Sequence, residues 1–267
     1  MSLAREHGSF KSSLSISRSE DILTIRLGGE DHDGNTPFNV MEDMLLALDQ
    51  IDEDTSIRVL VLSFSDGGYD FGTDVLDLSN LLPEEARRFS QLATSVYRRI
   101  NNLEIPTLSA IRGDCFGLGF EISLHCDLRV ACSGSRFGLT GMNFGLSPNG
   151  LAIRSLKSLV GESHARMMGL TGAMISADRG FVMGFVTNVL ENADFDSGVN
   201  VLTNHLAGMS RIAIAETKKI LKSVSSDDAA ELDAASARAL ARCIDEEDTE
   251  SSRARLFELN PGNATVH

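Results

Sequence analysis

The chain has 267 residues, 42% of them hydrophobic, which suffices for one substantial core with a smaller helical appendage. Its 38 acidic residues outnumber 24 basic ones, and the formal charge of −14 repels phosphate backbones and anionic lipid, arguing against nucleic-acid and membrane partners. No stretch approaches the roughly 20 apolar residues of a bilayer-spanning helix, no signal-peptide run opens the chain, and the four cysteines lack CxxC or metal-ligand spacing, so a cytoplasmic protein with reduced thiols and no metal site is expected.

Residues 1–18 are polar and Ser-rich and read as an untethered terminus, with order beginning near Ile22. Residues 22–27 alternate apolar and polar like an edge strand, whereas 58–64 (RVLVLSF) form the continuous apolar run of a strand covered on both faces. Between them, Val40, Met44, Leu45, Leu48 and Ile51 fall at helical spacing over 38–51. The alternation repeats: an amphipathic helix over 83–101, Pro106 ending its exit turn, a strand over 107–111, a short helix, and a strand over 128–132. Strands alternating with helices predict an α/β fold with parallel pairing and crossover helices. Further on the pattern is helical over 151–159, 163–170, 177–183, 199–209, 212–224 and 229–244, with one strand over 185–190. The organisation expected is a flexible terminus (1–18), an α/β core holding the active site (19–195) and a helical C-terminal region (196–267).

Two glycine-bearing turns follow strands and open helices. The first runs Gly67-Gly68-Tyr69-Asp70-Phe71-Gly72-Thr73-Asp74 and the second Gly113-Asp114-Cys115-Phe116-Gly117-Leu118-Gly119-Phe120-Glu121. Unpaired backbone N–H groups at a helix start point at whatever docks there, and two such turns side by side can aim two donors at one oxygen, forming an oxyanion hole. Taken singly, each is equally a tight turn that needs glycine. The Gly117-x-Gly119 pair is not a dinucleotide fingerprint, because Ile122 stands where a third glycine is required.

From Ile105-Pro106 through SAIRGDCFGLGFEISLHCDLRVA to Arg136-Phe137-Gly138 the chain resembles the crotonase (enoyl-CoA hydratase/isomerase) family, in which a Pro-containing approach, a glycine-rich turn, a Glu and a Cys-Asp recur in that order. The first turn resembles that family's Phe-x-x-Gly-Ala-Asp turn, with Tyr69, Gly72, Thr73 and Asp74 at matching places. Leu170-Thr171-Gly172, Ile175-Ser176-Ala177 and Gly184-Phe185-Val186 match its TG, SA and GLV pattern. The resemblance implies a spiral of β-β-α units with a helical C-terminal trimerisation region, and a site that holds a thioester carbonyl between two backbone amides. By position, those donors are the amides of Thr73 and Leu118, and Phe71 stands where the family's backbone meets the adenine of coenzyme A. Gly72, Asp74, Gly117, Gly141 and Asn149 complete the expected substrate-binding set.

Glu121 matches one of the two acid/base glutamates of family hydratases. The other falls on Gly141, which has no side chain, and Asn149 stands where some relatives carry an Asp. An Asn polarises or orients but takes no proton. Asp114 reads as a turn residue, and His125 either bonds to Glu121 from the same helical face or packs beside it. The basic residues that relatives use against CoA phosphates are missing from the acidic loop 28–34 and from the final helix, residues 254–259, so Lys218, Lys219 and Lys222 are candidates to compensate. The expected activity is proton transfer on an acyl-CoA thioester through an oxyanion-stabilised enolate, with coenzyme A as part of the substrate, no separate cofactor, and assembly as a homotrimer or dimer of trimers. The alternatives are a CoA-independent carbon–carbon hydrolase of the 6-oxocamphor hydrolase type and a catalytically silent subunit of the same fold.

Overall fold

The computed structural model of the protein describes residues 14–27, 36–64, 77–223 and 229–245. The large sheet is built from β1 (Ser15–Ser19), β2 (Ile22–Leu27), β3 (Val59–Phe64), β4 (Thr107–Ile111), β6 (Leu128–Cys132) and β9 (Asn188–Leu190), in the order β1-β2-β3-β4-β6-β9. The small one contains β5 (Cys115–Phe116), β7 (Arg136–Gly138) and β8 (Ile175–Ser176). In the large sheet β1 and β2 are antiparallel and every other neighbouring pair is parallel. The helices are α1 (Pro37–Glu53), α2 (Pro83–Asn102), α3 (Gly117–Ser123), α4 (Gly150–Thr171), α5 (Ala177–Met183), α6 (Phe195–Ala207), α7 (Arg211–Ser223) and α8 (Ala229–Asp245).

After β4 and again after β6, the chain steps from the large sheet into the small one and returns through helix. This is the α/β spiral of β-β-α turns expected from the resemblance, with helices following it at the C-terminal side. The strand alternation explains how one sheet serves two layers. Leu60, Leu62 and Phe64 of β3 face the main core, while Val59 and Val61 face a second cluster with Leu108, Val130 and Phe195. Helix α6, which begins where the composition shifts, covers that second face with Phe195, Val199 and Leu202.

The structure departs from the sequence reading at several elements. Ser15–Ser19 is a strand, so the untethered terminus does not reach residue 18, and β2 is interior rather than an edge. The helices expected over 151–159 and 163–170 agree with the structure: they form the two arms of α4, separated at Gly161, whose φ of 76° and ψ of 171° are not helical and suit glycine. Residues 185–190 contribute a strand only from Asn188.

The Asp of the Cys-Asp pair has a structural task. Asp127 Oδ2 accepts from the Thr107 amide (2.8 Å), the Thr107 hydroxyl (2.9 Å) and Lys218 Nζ (2.6 Å), and Lys218 also donates to the Ile105 carbonyl at 2.8 Å. Lys218 is buried, so this cluster fastens α7 to the starts of β4 and β6. Asp127→Ala leaves an ammonium buried without its carboxylate and is expected to lower the unfolding free energy by about 3 kcal/mol, measured by urea denaturation.

Candidate active site

Helix α2 carries Phe89, Ala93, Val96, Tyr97 and Ile100 on one buried stripe at helical spacing. Pro83 begins it, and the Glu85 carboxylate accepts the Leu82 amide at 2.8 Å. Across from it lies the second glycine turn. Gly117 has φ 52°, a left-handed conformation that lets β5 turn into α3 at once. The amides of the first turn of α3 have no acceptors within their own helix. The other end of α3 is closed by Arg129, whose Nη1 donates to the carbonyls of Ser123 (2.9 Å) and Cys126 (2.7 Å), placing a cation where the helix dipole favours one.

Between α2, α3, the 3₁₀ turn Thr140–Phe144 and the start of α4 is a cavity of about 400 Å³. Gly117, Leu118, Glu121, Gly141 and Asn149, five of the residues singled out in the sequence, line it together with apolar side chains such as Leu81, Phe89 and Leu146. Phe71, Gly72, Thr73 and Asp74 lie outside the described residues, as do the acidic loop 28–34 and residues 254–259. Among the described residues that line the cavity, Glu121 is the single titratable one.

Glu121 is buried, and burial pushes its carboxyl up to about 7. Two hydrogen bonds oppose that rise: Tyr97 Oη donates to Oε2 at 2.8 Å, and the Asn149 amide donates to Oε1 at 3.2 Å. A carboxyl poised near neutrality serves as acid or base at physiological pH. Asn149 acts here through its backbone, because its side chain caps α4 by accepting the Leu151 amide at 2.9 Å and donates to Thr94 Oγ1 at 3.0 Å. Gly141 contributes open wall. Tyr97 was missed by the sequence reading, although a lone Tyr on an apolar helical stripe signals a hydroxyl that needs a partner.

Other candidates are placed away from the chemistry. His125 stacks on Tyr97, with ring centroids 4.7 Å apart, and burial holds its pKa down to about 4, so it is neutral. Asp114 forms a forked pair with Arg136, its Oδ1 accepting from Nε at 2.9 Å. Lys218 is committed to Asp127, Lys219 pairs with Glu104 (2.9 Å) and Glu216 (3.2 Å), and Lys222 donates to Asn102 Oδ1 at 3.1 Å. No group of three or more potential metal ligands occurs among the described residues, and no described helix is long and apolar enough to cross a membrane.

Known proteins share this fold. The profile of the enoyl-CoA hydratase/isomerase family matches residues 18–262. A short-chain-enoyl-CoA hydratase of Clostridium acetobutylicum is 25% identical over 221 residues, covering 82% of this chain and 85% of the relative. A probable enoyl-CoA hydratase of Mycobacterium bovis, echA12, is 30% identical over 209 residues, or 75% of this chain and 73% of the relative. Among solved structures, Pseudomonas aeruginosa DspI superposes with a TM-score of 0.85 at 19% identity over 96% of this chain and 97% of its own. An enoyl-CoA hydratase from Bacillus anthracis gives 0.83 at 22% identity, over 92% and 96%. At those identities the structures speak for the fold, while the profile spans nearly the whole sequence. With the spiral of β-β-α turns and the glycine turn that leads into Glu121, this shows that the chain belongs to the crotonase (enoyl-CoA hydratase/isomerase) family.

Proposed function

We propose that the protein is an acyl-CoA-processing enzyme in which the amides of Thr73 and Leu118 hold the thioester oxygen while Glu121 moves a proton at the neighbouring carbon. The observation that carries this reading is the position of Glu121. It is a buried carboxyl, pushed up to about 7, in a mostly apolar cavity that also receives the first turn of α3. An enolate oxygen gains most from fixed amide donors where water is excluded, and an apolar wall suits an acyl chain. In the same reading Phe71 lies along the adenine of coenzyme A, and Gly72, Asp74, Gly117 and Asn149 shape the thioester site. Isomerisation and decarboxylation pass through such an enolate, and thioester hydrolysis through a tetrahedral oxyanion that the same two amides would hold. Turnover of a panel of acyl-CoA thioesters tests the proposal, and binding without turnover of any member would favour the silent-subunit alternative.

One observation favours the CoA-independent carbon–carbon hydrolase as a second reading. Lys218, Lys219 and Lys222, the cations proposed to meet CoA phosphates, all have partners within the chain. Capture of the protein on immobilised coenzyme A, with mass-spectrometric readout, separates the two: retention supports the thioester reading, and failure to bind supports the hydrolase.

We also propose a trimer or a dimer of trimers. Val201 and Leu221 on α6 and α7, and Leu240 and Ile244 on α8, are more than half exposed in the single chain, more apolar surface than isolated positions would leave. Sedimentation velocity at micromolar concentration is expected to give three or six times the chain mass, and a monomer would contradict the assembly.

A further inference from the structure

Behind the cavity, Glu121 is backed by side chains that the proposed reaction does not use. Tyr97 is completely buried on the inner stripe of α2, and its hydroxyl donates to Glu121 Oε2 at 2.8 Å. Its ring lies on His125, 19° from parallel, one helical turn beyond Glu121. His125 Nδ1 is 3.3 Å from Ser155 Oγ of α4, and its Nε2 is buried without a hydrogen-bond partner. The other carboxylate oxygen, Oε1, receives the Asn149 amide at the long distance of 3.2 Å.

We propose that Tyr97 is the positioning residue of the site: its hydroxyl fixes Oε2 of Glu121, so that Oε1 is the oxygen that exchanges a proton with the substrate, and His125 holds the Tyr97 ring in place. The proposal rests on Glu121 as the proton-transfer residue. Rotation of a carboxylate about its last bond is soft, and a well-formed hydrogen bond to one oxygen, here 2.8 Å, restricts that freedom. A buried phenol in turn keeps its ring only where packing holds it, and the His125 stack supplies that face.

Among the described residues, the electrostatic surroundings are simple. Facing Glu121, α2 presents Tyr97, and the turn that follows α3 presents His125, kept neutral by burial and then by the nearby charges of Arg129 and Arg154. The start of α4 and the 3₁₀ turn present no titratable side chain to the cavity. The hydroxyl bond favours the charged carboxylate against burial. Its removal therefore raises the Glu121 pKa above its value of about 7, and a stronger donor lowers it.

The test compares wild type, Tyr97→Phe and protein carrying 3-fluorotyrosine at position 97, a more acidic phenol of nearly the same shape. The Glu121 carboxyl is titrated directly by ¹³C NMR of side-chain-labelled glutamate, assigned by the signal lost in Glu121→Gln, and the acid limb of the kcat/KM profile is measured on an accepted thioester. Tyr97→Phe is expected to move both titrations up and fluorotyrosine to move both down, while His125→Ala moves them in the direction of Tyr97→Phe. Shifts of opposite sign from two near-isosteric rings do not arise from a packing role. A Glu121 titration unchanged across the series overturns the positioning role and leaves the catalytic reading of Glu121 standing. A titration that moves as expected while Glu121→Gln keeps full turnover overturns the catalytic reading, and with it the role of Oε1.

Discussion

Glu121→Gln is expected to lower turnover of any accepted substrate by at least about 10²-fold, the usual scale of general acid–base catalysis. The change keeps size and polarity but removes the carboxyl that burial has brought to about 7, and no other described residue lining the cavity titrates. As a base, Glu121 works deprotonated, so wild-type kcat/KM should fall about tenfold per pH unit below that pKa, and the residual rate of Glu121→Gln should lack this limb. Stability gives an independent check. The folded state holds the Glu121 proton more tightly than the unfolded chain, whose carboxyl titrates near 4.5, so this group's contribution declines as pH rises from there through about 7. Glu121→Gln removes that decline, and unfolding midpoints measured across the window should show a flatter pH dependence than wild type. Equal turnover of the two proteins would rule the catalytic role out.

Hydration of crotonyl-CoA by the wild-type protein is expected to be slow, by about 10²–10⁴-fold relative to an enzyme with two carboxylates, because one of the two groups that would manage the attacking water is Gly141. The structure makes the converse experiment feasible. A Cβ at Gly141 would meet Leu146 Cβ at 3.4 Å and the Leu146 carbonyl oxygen at 3.6 Å, ordinary contacts, and its φ lies outside the left-handed region. Gly141→Glu should therefore fold and raise hydration, followed as loss of the enoyl thioester absorbance. Hydration by the wild type near the diffusional ceiling would mean that another residue supplies the missing carboxylate, and the single-Glu account would have to be abandoned.

The strands and helices most legible in the sequence were those whose periodicity is imposed by burial. The run in β3 reads as covered on both faces because Val59 and Val61 meet one cluster and Leu60, Leu62 and Phe64 the other. Illegible elements carry little such signal: β1 is largely exposed, and β5 and β8 have two residues each. Glu121 was legible through the motif around it, and its cavity through Gly117 and Leu118. Tyr97 was not, because it stands 24 positions away and is brought to Glu121 by the packing of α2. The pairing of Lys218 was not legible for a related reason. Lys218 looks like part of a solvated helix face until the fold sets Asp127 and the Ile105 carbonyl against it.

The proposed formation of an enolate by Glu121 from an acyl-CoA thioester is read by α-proton exchange in deuterated buffer. Saturated acyl-CoA thioesters of short, medium and long chain are incubated with wild type and with Glu121→Gln, and deuterium at the carbon next to the carbonyl is read by mass spectrometry. This isolates the first proton transfer from whatever reaction follows. At least one thioester is expected to take up deuterium with the wild type, and at least about 10²-fold more slowly with Glu121→Gln. Thioesters that bind the wild type and take up no deuterium, or that exchange equally fast with both proteins, would contradict the proposed enolate formation.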